Sequence, residues 1–181
     1  VLPVFCVGVD TPEPCCDSLY TAADALLTVA YAALVECAGE ELCSTVQSFV
    51  AAADPHLAMQ DYVAVWYTEA TLSPRSNRTD QLKTLLVQQP EVTFTVKVSE
   101  SGYPTGEQVG TEIGEPSADE LDWAGKHALG HAESVYRAVL DSVRGSHVCG
   151  TLKAIGPLRP IGPSGGVIGF AFAITTEIAW T

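Results

Sequence analysis

The stretch from Val167 to Trp180, VIGFAFAITTEIAW, constrains this chain more than any other. Read by twos, Phe170, Phe172, Ile174, Thr176, Ile178 and Trp180 fall on one face, and Gly169, Ala171, Ala173, Thr175 and Glu177 on the other, because side chains alternate along a strand. The pattern predicts a half-buried strand with a heavy inner face and a light outer one. A single strand cannot offset the entropy lost in ordering it. The remainder of the chain must supply ladder partners and a covering layer.

The partners are legible. Tyr62 to Ala70, YVAVWYTEA, is rich in aromatic and β-branched residues, with Val63, Val65 and Tyr67 facing one way. Val92 to Ser99 alternates more cleanly, placing Val92, Phe94, Val96 and Val98 inside and Thr93, Thr95 and Lys97 outside. Weaker strands are expected at Val46 to Ala51 and Cys149 to Ile155, with Asp54-Pro55 marking a turn. GPLRPIGPSGG reads as a stiff loop feeding the last strand, and Ser101 to Pro116 reads as loop.

Two helices supply the covering layer. One is expected from Asp17 or Ser18 to about Glu36, with Leu19, Ala22, Ala23, Leu26, Ala30, Ala33 and Leu34 as its apolar stripe. The other starts at Ser117 or Asp119 and runs to about Arg144. Leu121, Ala124, Ala128, Ala132, Val135, Tyr136, Val139 and Val143 fall within an arc of about 120° at helical pitch. The expected fold is therefore α+β: an antiparallel sheet of about four to five strands with two helices on one face. Residues 1–16 form an N-terminal arm and 17–181 a single domain with long hairpin loops.

Charge narrows the function. The 181 residues carry a formal net charge of −13 with only 9 Lys and Arg, which excludes a basic groove for nucleic acid as the main feature. Yet 47% of residues are hydrophobic, too many for a disordered acidic chain. Such a composition predicts a folded protein with more apolar surface than a monomer shows. The best membrane candidate, Ala22 to Val35, is interrupted by Asp24, so no span is expected. The apolar start, VLPVFCVGVD, lacks a basic n-region and is read as an edge strand or docking arm.

Motifs for catalysis are missing. His127 and His131 share a helix face, but Ala128 stands where a zinc protease places its glutamate, and a rim role is favoured over a metal role. Cys6, Cys15, Cys16, Cys37, Cys43 and Cys149 lack regular spacing and are read as reduced thiols, and Cys15, Cys16, Cys37 and Cys43, with no CxxC pair, as small buried side chains. No nucleophile elbow or phosphate-binding glycine loop is present. An enzyme is not expected, nor a cofactor or metal. Trp66, Trp123 and Trp180 are read as core or interface anchors. Arg75, Arg78 and Arg159, isolated cations on loops of an acidic chain, suit contacts with partner carboxylates.

Three segments carry a family likeness: DPHLAMQDYVAVWYTEATLSPR, VTFTVKVSESGYPT, where a strand ends in a Tyr-Pro pair, and RPIGPSGGVIGFAFAITTEI, where a proline and glycine turn feeds the final strand. With this order of elements the chain resembles the tail terminator proteins of long-tailed phages, those of actinobacteria above all. The likeness implies a virion protein made in the host cytoplasm and assembled as a ring, usually of six copies. Such a ring caps the tail tube and meets the head-tail connector or head-completion protein. DNA would pass through an acidic lumen without specific binding, and no membrane is involved. It implies interface roles for Arg75, Arg78, Tyr103, Arg159, Pro160, Gly165, Gly166 and Trp180. Other neck-ring subunits and, less favoured, a small metal-binding module using the cysteines and the histidine pair are the alternatives.

Overall fold

The computed structural model describes residues 17–38, 46–55, 61–72, 90–101, 103–104, 108–109, 112–113, 115–146, 151–164 and 166–178. The N-terminal arm, the connection 73–89, and Arg75, Arg78, Gly165 and Trp180 lie outside them.

The protein is α+β. Helix α1 spans Asp17–Ala38 and α2 Ala118–Ser146. The strands are β1 Gln47–Val50, β2 Tyr62–Leu72, β3 Pro90–Ser101, β4 Gln108–Val109, β5 Glu112–Ile113, β6 Thr151–Ile155, β7 Arg159–Ser164 and β8 Val167–Glu177. Six strands form one sheet in the order β1-β2-β3-β8-β6, with β7 also on β8, while β4 and β5 form a separate small hairpin. The predicted final strand is thus an interior strand. It pairs antiparallel with β3 from Glu91↔Glu177 to Ser101↔Val167, and its other edge carries β6 and then β7 in succession.

Alternation sets the faces as the sequence predicts. Val63, Val65, Val92, Phe94, Val96, Val98, Phe170, Phe172 and Ile174 are buried in one core with Leu26, Ala30 and Leu34 of α1 and Val135, Val139 and Val143 of α2. Burial of each large side chain among them contributes roughly 1.5–3 kcal/mol. Helix α1 packs on β1, β2 and β3, α2 packs on β6 and β8, and the helices pack on each other. Over Leu19–Cys37, α1 is long and apolar enough to cross a membrane by length and composition, Asp24 notwithstanding. Here its apolar stripe covers the sheet. Ser117 and Glu120 form a capping box at the start of α2: Ser117 N and Oγ donate to Glu120 Oε2 at 2.8 and 2.7 Å, and Glu120 N donates to Ser117 Oγ at 3.3 Å.

Four differences from the sequence reading have physical causes. Strand β1 runs parallel to β2, from Gln47↔Tyr62 to Val50↔Val65. Phe49 and Ala51 pack against Tyr62, Ala64 and Trp66 as a second small core, on the face opposite the helices. The proline-rich joint read as loop contains β7. Pro160 is tolerated because an edge strand pairs on one side only, leaving the missing N–H no ladder partner to lose. The loop before α2 contains the β4–β5 hairpin, too short to leave a periodic signal. Tyr67 keeps its inner-face register opposite Phe94 but is 51% exposed, where β2 bulges between Tyr67 and Glu69.

Candidate functional site

One end of the sheet gathers the segments that the family likeness singled out. Strands β7 and β8 pair antiparallel with a register that reaches Ser164↔Val167, and Gly166 stands in a turn ahead of β8. Gly166 has φ of 80° and Gly162 φ of 86°, a backbone that side-chain-bearing residues rarely adopt. Tyr103 donates its backbone N–H to the Gly166 carbonyl at 2.9 Å, so the Tyr-Pro pair that follows β3 is tied to the hairpin turn. Arg159 lies opposite Ala171 and Pro160 opposite Phe170 on the same hairpin. Of the eight predicted interface residues, Tyr103, Arg159, Pro160 and Gly166 are therefore brought to one hairpin and its flank.

The same end anchors α2 to β3. His131 Nδ1 hydrogen-bonds Glu100 Oε2 at 2.8 Å, with side chains 8% and 13% exposed. The rim role expected for His131 is corrected: it is buried and paired, whereas His127 is exposed. Parity along β3 holds the signal that was missed. Glu100 continues the even-numbered inner face of Val92 to Val98, and a carboxylate aimed at a helix needs a partner there. Glu100 Oε1 has no hydrogen-bond partner among the described residues.

Next to this pair, Cys37, Lys126, His127, Gly130 and His131 line a shallow pocket of about 160 Å³. Trp123 meets His127 at a tilt of 47° with ring centroids 4.2 Å apart, and His127 meets His131 edge-on at 6.1 Å. Lys126 is paired with Asp122 at 2.5 Å. Cys37 is exposed and free, against the expectation of a small buried thiol; the other five cysteines lie outside the described residues. Among the described residues no three His, Cys, Asp or Glu side chains converge as a metal would require.

On the opposite face, Lys97 Nζ donates to Asp54 Oδ1 at 2.7 Å and to the Pro55 carbonyl at 3.1 Å, and Tyr62 Oη donates to the same carbonyl at 3.0 Å. Burial alone would pull the Lys97 ammonium down. The hydrogen bonds and charges of Asp54 and Tyr62 outweigh it and hold the group above the ordinary lysine range. Further along this face the side chains of β3 and β8 are small: Thr93 and Thr175 share a hydroxyl hydrogen bond at 2.9 Å, and Ala171 and Ala173 lie half-buried on β8.

No protein-family model and no curated protein matches the chain. What the geometry defines is an α+β protein whose polar groups at the hairpin end are engaged in holding elements together.

Proposed function

We propose that the protein is a structural subunit of a phage virion, one of several copies that close a ring, usually of six, on the tail tube and join it to the head-tail connector. The observation that carries the reading is the pairing of a net charge of −13 with apolar surface that the fold leaves uncovered. Both described helices cover one face of the sheet, while Trp123 is 61% and Leu129 71% exposed on α2. Contact with further copies buries such surface. An acidic lumen repels phosphate and lets a duplex slide, where a basic wall would hold it by counterion release. The union of Tyr103 with the Gly166 turn further supports the reading, because both belong to segments that carry the family likeness. Another neck ring has the same physical demands and differs only in which neighbours it meets.

Light scattering and projection imaging of the purified protein test this. The expected result is a closed ring with a central hole. A monomer both alone and with tail tubes, or a ring with a positively charged lining, overturns it.

A further inference from the structure

Among the described residues, the first half of α2 leaves large apolar side chains exposed. Ala124 is buried, yet Leu121 is 37% exposed although it lies in the same arc as the core residues of this helix. Trp123 and Leu129 stand on opposite shoulders of the solvent face, about 120° apart at helical pitch. Gly125 and Gly130 have open space where a Cβ would go, so no described neighbour requires them to be small, although each weakens the helix relative to alanine. Acid stands near Trp123: Asp119, one turn before it, and Glu115, just ahead of the helix, are exposed, with no ion-pair partner among the described residues.

The chain holds a complement to this surface. Of the Lys and Arg among the described residues, Lys97, Lys126, Arg137 and Lys153 are paired with carboxylates within the chain. Arg144 sits in the last turn of α2, where the helix dipole favours it. Arg159 is exposed and has no ion-pair partner among the described residues. Its register opposite Ala171 places it on the sheet face away from the helices, beside the small side chains of Ala171, Ala173 and Thr175. Donor helix and receiving face thus lie on opposite sides of one protomer. A contact between them is head-to-tail and propagates from copy to copy, as a ring requires and an isologous dimer does not.

We infer that the first half of α2, led by Trp123 on its solvent side, seats on the helix-free face of a second copy of this chain, where Arg159 meets Asp119. The inference rests on the ring reading and adds the surfaces that make it. Opposite charges at the contact overcome the repulsion between two strongly acidic copies, and the small side chains of β8 admit a helix closely.

Self-association of the full chain is to be measured by light scattering for wild type, Arg159→Glu, Asp119→Arg and the double variant, with circular dichroism to confirm folding. Each single reversal is expected to weaken association by about tenfold or more, and the double reversal to restore it. Trp123→Ala, at an exposed position, supplies a second probe should Asp119→Arg fail to fold, and is expected to weaken association comparably. Rings that survive Arg159→Glu and Trp123→Ala overturn this contact while leaving the ring reading standing. A wild type that stays monomeric at every concentration overturns both.

Discussion

Lys97 reaches across the helix-free face of the sheet to Asp54, 2.7 Å away, and that pair pins the chain leaving β1 over the aromatic cluster of Tyr62 and Trp66. Asp54→Ala leaves a buried ammonium with only the Pro55 carbonyl and is expected to cost about 1–2 kcal/mol, a figure held down by the half-exposure of Asp54. The folded pKa of Lys97 is raised above 10.5. The contribution is therefore complete below that pH and is lost as pH climbs through the folded value. Urea unfolding of wild type and variant at pH 8 and at pH 11 and above, about half a unit past the ordinary lysine value, is expected to show the difference shrinking at the higher pH.

Gly169 is required by its neighbour in β3. A Cβ there would lie closer to the Val98 carbonyl oxygen than any real Cβ approaches, and the obstacle is backbone that cannot swing aside. Gly169→Ala is expected to force β3 and β8 apart at a cost of about 3 kcal/mol or more. Thermal unfolding will check it, with Gly130→Ala, where nothing lies in the way, as the control that does not destabilise.

The His131–Glu100 pair lends itself to a double-mutant cycle. His131→Leu strands a nearly buried carboxylate and is expected to cost about 3 kcal/mol. Glu100→Gln in the same background is expected to recover a large part of that, giving a coupling energy of about 1 kcal/mol or more. Additive effects would show that the 2.8 Å contact carries no energy of its own.

Thr176 is fully buried on the inner face of β8, and its hydroxyl has no hydrogen-bond partner among the described residues. Valine keeps the shape and β-branching without the unsatisfied oxygen. Thr176→Val is therefore expected to stabilise the fold by about 1 kcal/mol, read as an increase in the denaturant midpoint with unchanged slope.

The sheet was readable in the sequence because its strands alternate over enough residues to fix a face. Val92 to Val98 and Phe170 to Ile178 each place large side chains on one parity, and the structure buries those sets together. Helix limits were readable from caps and stripe, the Ser117–Glu120 box in particular. Strand β7 was not, because prolines carry the same meaning in a loop and on an edge. The parallel sense of β1 was not either, since four residues fix no direction by pattern. At the hairpin end, single residues were visible but their union was not. The link from Tyr103 to Gly166 joins two backbones and leaves no trace in side-chain identity, whereas Glu100 was foreseeable from parity alone.

Strands β6 and β7 together form one margin of the sheet, interrupted by the Gly156 step and by a shift in register between Leu152 and Ala154 that sets Lys153 out of the ladder and onto Glu177. Pro157, Pro160 and Pro163 recur along the same margin. Without amide protons at those places, and with a lysine beside them, the margin is a poor template for a foreign strand. Strand addition is thus disfavoured along this side, and copies that meet there do so through side chains.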